Sequence, residues 1–259
     1  MIDWSALETA APTPDTLAAV SAALRSADPH VRDTLAYEQL CRWAPLLTPE
    51  QRLALGDEMA ERLSDPDIQA RTFAPLVLAE LADLGAHRPA WLDAFAHWYP
   101  AESDLRGWDG ELGWLHAVAH GADYLAALGR GPLLADPTPL LELAAARLLA
   151  PTDHVLDAME DDRLGRALAQ ILARPDLTER QALGWLDPIA AQPPRRPSAT
   201  SGGVPAVVSN TLRTLRMLHV LADRGVRMER GADPVPLPHS AALRERIAGI
   251  LVVNSPFTG

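Results

Sequence analysis

The chain has 259 residues, of which 48% are hydrophobic and only 5% aromatic, so its core must be built mainly from Ala and Leu. These are the strongest helix formers among apolar residues, which favours an all-α fold over a sandwich or barrel. A net charge of −11 disfavours nucleic-acid binding, and the absence of lysine excludes P-loop and Schiff-base chemistry.

Helix start signals recur along the chain. Thr48, Pro49 and Glu50, for example, supply an N-cap, a proline at the first helical position and an acid in the first turn. Signals of this kind, closed by glycines and prolines, predict a series of helices separated by short loops. The predicted helices cover about 13–26, 28–43, 48–63, 64–84, 87–97, 112–128, 136–149, 157–173, 178–190, 205–224 and 240–253.

The spacing of these starts suggests helical hairpins of roughly 35–45 residues each. We therefore predict antiparallel helical hairpins in a HEAT- or armadillo-like solenoid, forming one domain over residues 1–259. Residues 192–203 are rich in Pro, Ser and Gly and predict a mobile loop. That loop is either a surface connection or a lid or partner-binding insert.

The N-terminal segment lacks the basic and apolar regions of a signal peptide. No stretch approaches the ~18 apolar residues of a membrane helix. The single cysteine, Cys41, cannot form an internal disulfide. These observations predict a cytoplasmic protein without membrane contact.

The most unusual segment is 104–123, where two histidines and an aspartate follow at helical spacing. On a helix, His116, His120 and Asp123 would form one stripe over two turns. Two imidazoles and a carboxylate on one stripe can bind a divalent metal, although the glutamate of helical metalloproteases is here Ala117. The alternatives are a polar network between packed helices and a metal-free ligand or acid–base site.

Gly121 directly follows His120, in a helix where glycine costs ~1 kcal/mol relative to alanine. It predicts that another helix or a ligand approaches the backbone closely. The loop before the helix adds a dense polar group with aromatic plates, which we interpret as candidate ligand-binding residues. They are Arg106, Trp108, Asp109 and Trp114.

Two further polar groups lie later in the chain. Glu160 begins an acidic cluster at a helix start, where carboxylates stabilise the helix dipole, although Glu160 is also a candidate fourth ligand or general base for the histidines. Arg213 and Arg216 lie on an otherwise apolar helix and need partners. They predict either an ion-pair network with the acidic cluster or an anion-binding pair.

The segment 106–123 resembles an uncharacterised bacterial family, domain of unknown function 2785. The resemblance spans roughly residues 31–221 and implies an all-α, HEAT-like fold with no established activity. The arginine–leucine segment 215–219 departs from the family pattern, because His219 stands where the family has an aromatic phenol. The matching residues are Arg106, Gly107, Gly113, Trp114, His116, His120, Gly121 and Asp123, then Glu160, Asp161, Arg163 and Leu164, and near the N-terminus Arg32, Asp33 and Tyr37.

Two hypotheses of function follow. The first is a small-molecule binder or hydrolytic or acid–base enzyme that uses His116, His120, Asp123 and Glu160, with or without a divalent metal. In it the arginines would bind an anion. The second is a non-catalytic scaffold that binds a protein, in which the polar motif only ties adjacent helices together.

Overall fold

A computed structural model describes residues 2–193 and 203–255, so most of the predicted loop at 192–203 lies outside the described residues. The chain is predominantly helical, as its composition predicted. In the part of the chain that is described, no helix is both long and apolar enough to cross a membrane. The helices are α1 (Trp4–Leu7), α2 (Pro14–Ala23), α3 (Glu38–Trp43), α4 (Pro49–Arg62), α5 (Ile68–Asp83), α6 (Pro89–Ala101), α7 (Ala117–Gly129), α8 (Thr138–Leu149), α9 (Glu160–Leu172), α10 (Glu179–Gly184), α11 (Asp187–Ala190), α12 (Ala206–Arg224) and α13 (Ser240–Asn254).

The local start signals are realised in the structure. Thr13, Thr48 and Thr178 each cap a helix by accepting a hydrogen bond from the backbone N–H three residues on. In each case the side chain of that third residue also reaches back to the cap backbone. The backbone N–H groups of the cap residue and of the third residue would otherwise lack partners at the helix start. This explains why the predicted starts of α2, α4 and α10 are close to the observed ones.

The chain forms two compact units, Met1–Ala127 and Leu128–Gly259. In the first unit, α4 packs against α5 and α6. An aromatic group fills the core beside α7, where Phe95 stacks on Tyr99 at 4.9 Å and meets the edge of Tyr124 at 5.0 Å. The second unit is centred on α12, which packs against α8, α9 and α13.

Gly121 marks a close approach between helices, as its position in the sequence predicted. A Cβ atom there would lie 2.1 Å from the ring of Tyr99 on α6. The Tyr99 hydroxyl in turn donates a hydrogen bond of 2.8 Å to the carbonyl of Val118 on α7. The glycine therefore lets α6 and α7 pack together through the tyrosine.

The prediction of a helix from residue 112 was wrong for its first turn. Strands β1 (Trp108–Asp109) and β2 (Gly113–Trp114) form an antiparallel hairpin there, and α7 begins only at Ala117. Asp109 accepts hydrogen bonds from the N–H groups of Glu111 and Leu112, and Gly113 has a φ of 72°. A three-residue connection closed by a left-handed glycine is a common hairpin geometry.

Candidate functional site

The β1–β2 hairpin is held in place by a completely buried arginine. Arg32 lies in a π-helical segment (His30–Tyr37) and is 0% exposed. Its guanidinium donates to the carbonyl oxygens of Leu112 and Trp114 at 2.6 and 3.2 Å. Because a buried guanidinium must have its N–H groups satisfied, these bonds fix the hairpin relative to the π-helical segment.

The same arginine has a carboxylate and an aromatic ring as further partners. Its Nε lies 2.8 Å from Oδ1 of Asp33, and its central carbon lies 4.7 Å from the ring centroid of Phe73. Burial raises the pKa of Asp33, and the charges of Arg32 and then His116 oppose that rise. The Asp33 carboxylate therefore interacts electrostatically with both Arg32 and His116.

The hairpin presents two indoles to solvent. Trp108 is 54% exposed and Trp114 is 43% exposed, and their ring centroids lie 4.7 Å apart in an edge-to-face arrangement. Gly113 permits this arrangement, because a Cβ there would lie 2.7 Å from Pro29 and its φ is positive. Adjacent exposed indoles on a fixed hairpin offer apolar aromatic surface to solvent.

His116 lies directly under this surface. Its ring stacks on Trp114 with centroids 4.4 Å apart and an angle of 6° between the planes, and the residue is 8% exposed. His116 has a φ of 48°, in the left-handed region that residues other than glycine seldom occupy. Its carbonyl accepts the backbone hydrogen bond from His120, so it is the residue that caps α7 and does not belong to the helical stripe we predicted.

His120 connects α7 to α5. Its Nδ1 lies 2.9 Å from the carbonyl oxygen of Thr72, and its ring meets the edge of Phe73 at 5.1 Å. A carbonyl only accepts, so Nδ1 carries the proton. Pro75 lies in the next turn of α5 and interrupts the hydrogen-bond ladder there. This bond fits the predicted polar network between helices.

The two histidine rings are neighbours, with centroids 5.6 Å apart. Asp123, the third member of the predicted set, is half-buried on α7. Its charge contributes to the raised pKa of Tyr37, behind the larger effects of burial, Cys41 and Glu80. Among residues 2–193 and 203–255, no group of three or more His, Cys, Asp or Glu side chains is arranged to hold a metal ion. The structure therefore gives no support to the predicted divalent metal at His116, His120 and Asp123.

Arg106 and Asp109, predicted to bind a ligand, also build the hairpin. The Arg106 guanidinium forms two hydrogen bonds with Asp104, at 2.9 and 2.6 Å, and a third with Asp109. Hydrogen bonds from Arg106 lower the pKa of Asp104, and backbone N–H groups of the turn lower that of Asp109. A ligand-binding role for Arg106 and Asp109 stays a prediction.

The remaining predicted residues belong to the second unit. Glu160 is fully buried at the start of α9 and accepts a hydrogen bond of 2.9 Å from the N–H of Ala158. Arg213 pairs with the acidic cluster, because its Nε lies 2.6 Å from Asp161. Arg216, expected on a buried face, is exposed and needs no internal partner. The proposed roles of these residues at the histidines stay predictions.

Two contributors to the site were missed. Arg32 and Asp33 match the family pattern but are not among the predicted site residues, yet Arg32 holds the hairpin and Asp33 interacts with His116. Their occurrence in the family pattern was the available signal. The hydrogen bonds span 80 and 82 residues of sequence, a distance over which no local pattern indicates contact.

Comparison with known proteins identifies the family. Residues 55–220 match the family described as "Protein of unknown function (DUF2785)", and the chain belongs to it. No curated protein and no solved structure matches the chain.

Proposed function

We propose that the first unit binds a small organic molecule on the surface formed by Trp108, Trp114 and His116. The proposal depends on one observation. His116 adopts a left-handed backbone conformation, and its ring is stacked under a half-exposed indole. Strained backbone of this kind costs of order 1–3 kcal/mol and is concentrated at binding and catalytic sites.

The chemistry of the site suits stacking combined with proton transfer. Trp108 and Trp114 offer aromatic faces to a planar ring or to the apolar face of a sugar. Below them, the imidazole of His116 offers a general acid or base. Asp33, which interacts electrostatically with His116, is the candidate for orienting this imidazole. The reaction class we propose is therefore acid–base or hydrolytic catalysis.

His120 and Asp123 have secondary roles in this proposal. His120 fixes α7 against α5 through the carbonyl of Thr72, so it positions the helix start that carries His116. Asp123 adds negative charge on the same helix. The proposal uses no residue of the second unit, so the roles predicted there for Glu160, Arg213 and Arg216 are separate questions.

A thermal-shift screen tests the binding proposal. The full chain is screened with a panel of nucleosides, mono- and disaccharides and aromatic amines. Each compound that raises Tm is then titrated against Trp114→Ala and against Trp4→Ala, which removes an indole outside the hairpin. We expect the hairpin variant to lose at least tenfold in affinity and the control to lose none. A panel without binders, or hits that Trp114→Ala leaves unchanged, contradicts the proposal.

The acid–base role has its own test. His116→Gln keeps a planar polar side chain but cannot transfer a proton at neutral pH. We expect this variant to bind each hit within a few fold of the wild type and to lose any conversion of it, followed by NMR spectra of the ligand. Conversion at an unchanged rate contradicts an acid–base role for His116.

A non-catalytic protein-binding scaffold is the second candidate. It is favoured by the His120–Thr72 bond, which uses one imidazole to tie helices together, and by the exposed indoles, which are typical of interface hot spots. With it we propose the predicted HEAT-like architecture as one domain over residues 1–259. Packing between consecutive helices such as α4 and α5 supports that architecture. The cytoplasmic location stays a prediction from the sequence.

A further inference from the structure

The second unit contains a cleft that is unrelated to the aromatic hairpin. It has a volume of about 280 Å³ and lies where four helices meet. Its walls include Leu149 at the end of α8, Ile189 on α11, Leu212 on α12 and Ile250 on α13. The cleft is therefore formed by packing within the second unit, because α8 contacts both α11 and α12 and α12 contacts α13.

The volume of the cleft and the side chains that line it suit a small apolar molecule. Cavities of about 150 Å³ lined by aliphatic side chains hold benzene, and larger ligand pockets begin near ~300 Å³. Several of the polar side chains in the lining already have partners in the protein. Thr211 donates to the carbonyl of Leu148 or Val207, and Asn254 donates to the carbonyl of Ile250. The cleft thus offers mainly aliphatic surface.

One ionisable group lies in the lining of this cleft. Asp153, in the loop after α8, is exposed and is the only residue with an ionisable side chain among the lining residues within 2–193 and 203–255. A carboxylate beside an aliphatic cleft attracts a cation and repels an anion, and the net charge of −11 acts in the same direction at longer range. The complementary ligand has an alkyl part for the walls and a positive charge for Asp153.

We propose that this cleft binds a primary aliphatic amine, with the alkyl chain between the four helices and the ammonium group on Asp153. The site is independent of the function proposed for the first unit. Trp114→Ala is therefore expected to leave amine binding unchanged, so failure of either proposal can be recognised without the other.

Calorimetric titration of the full chain with hexylamine tests this site, with hexanol and hexanoate as matched ligands. We expect hexylamine to bind at least tenfold more tightly than hexanoate, with hexanol between them. Asp153→Asn is expected to weaken hexylamine binding five- to tenfold and to leave hexanol binding unchanged. Equal affinities for the amine and the carboxylate, or an unchanged affinity in Asp153→Asn, overturn the proposal.

A second pair of variants locates the alkyl chain. Val208→Trp fills the cleft from α12, whereas Val220→Trp adds the same indole to an exposed position on the same helix. We expect the first variant to abolish binding of hexylamine and hexanol and the second to leave both unchanged. Hexylamine that binds both variants alike overturns the placement in this cleft. Should Val208→Trp fail to fold, the same decision rests on Asp153→Asn with amide chemical-shift changes confined to the lining residues.

Discussion

Two helices of the molecule begin in the same unusual way, one in each unit. His116 precedes α7 with a φ of 48°, and Met159 precedes α9 with a φ of 65°. Within residues 2–193 and 203–255, these are the only residues other than glycine with a positive φ. Both carbonyls accept the first hydrogen bond of the helix that follows, from His120 and Arg163 respectively.

In both units the loop before that residue is held by a buried polar side chain of another element. Arg32 binds the carbonyls of the hairpin in the first unit. In the second unit, Asn210 on α12 accepts from the N–H of Leu156 and donates to the carbonyl of His154, each at 2.9 Å. In both places the residues just before the left-handed one are therefore held by contacts from outside the local sequence.

The two side chains differ in where they lie. Met159 is 65% exposed, whereas His116 is 8% exposed and stacked on Trp114. At Met159 the left-handed backbone precedes Glu160, whose side chain is fully buried. At His116 it places the imidazole itself under the exposed indoles. Because of this difference, we propose a role in binding for His116 before α7 and a structural role for Met159 before α9.

The largest expected effect comes from removing the arginine that holds the hairpin. We expect Arg32→Met to lower the free energy of unfolding by ~3–5 kcal/mol, because it leaves the carboxylate of Asp33 and two hairpin carbonyls without their buried partner. Arg213→Met is expected to cost less, because the Arg213 side chain is 38% exposed and only the carboxylate of Asp161 and the carbonyl of Leu156 lose a partner. Urea unfolding measures both, with the exposed Arg216→Met as control. Equal losses for Arg32 and Arg213 would break the comparison.

A smaller difference is expected for the glycines of the two helices. A Cβ at Gly121 would lie 2.1 Å from the ring of Tyr99, whereas a Cβ at Gly165 would lie 2.9 Å from Cγ of Met217 and 3.2 Å from the carbonyl oxygen of Thr214. We expect Gly121→Ala to cost ~1–3 kcal/mol, because an aromatic ring packed in a core cannot move aside. Gly165→Ala should cost less, ~1 kcal/mol, because its contacts with Met217 and the Thr214 carbonyl are longer than the contact at Gly121.

The control for this pair is Gly249→Ala on α13, where a Cβ meets nothing within 4 Å. It is expected to stabilise the chain by ~0.5–1 kcal/mol, because alanine favours the helix and restricts the unfolded chain. Thermal unfolding of the three variants ranks them. A stabilising Gly121→Ala contradicts the close contact between α6 and α7.

Much of the helical framework could be predicted from the sequence because its signals are local. The capping threonines and first-turn prolines act within four residues, so the starts of α2, α4 and α10 needed no tertiary information. The hairpin had a local signal too, the Asp109–Gly110 pair, which is typical of tight turns. The apolar residues after this pair favour a helix, and the predicted helix was therefore begun too early, at about residue 112.

The candidate site could be predicted only in part. That His116 and His120 lie close together was expected, and their rings are 5.6 Å apart. The expected reason, a shared helical stripe, was wrong because the backbone of His116 is left-handed. Arg32 acts on residues 80 or more positions away, so its role depended on tertiary packing that one sequence does not reveal.

Replacement of the two left-handed residues by glycine should change the free energies of unfolding by amounts that differ by about 1.5–2 kcal/mol. In Met159→Gly, relief of ~1–2 kcal/mol is partly offset by ~0.4–1 kcal/mol of added freedom in the unfolded chain. We therefore expect a net gain of about 0.5–1 kcal/mol. His116→Gly gains the same relief but loses the buried stacked ring, so a net loss of ~1 kcal/mol is expected. Denaturant unfolding of both variants measures the difference, and a gain in both would remove the argument for His116.

The smallest expected effect is a pH dependence at the aspartates that accompany the two arginines. Burial raises the pKa of Asp161 above 3.8 and outweighs the opposing charge of Arg213, and burial likewise raises the pKa of Asp33 beside Arg32. A raised pKa means that the folded state binds the proton more tightly than the unfolded state. The stability contributed by each carboxyl is then complete below the unfolded pKa and is lost as pH rises through the folded pKa.

Asp161→Asn mimics the protonated group at every pH. The stability of the wild type relative to this variant should therefore fall as pH rises from below 3.8 through the raised pKa, and Asp33→Asn should behave in the same way.

Asp104→Asn is the control for the sign of this pH dependence. Its carboxyl has a lowered pKa because of Arg106, so the wild type should gain on that variant as pH rises from the lowered value to 3.8. Urea unfolding across this range measures all three slopes. If Asp33 and Asp161 gave slopes of opposite sign, the two arginine–aspartate pairs would not be equivalent, and the parallel between the two helix starts would be limited to their backbone conformation.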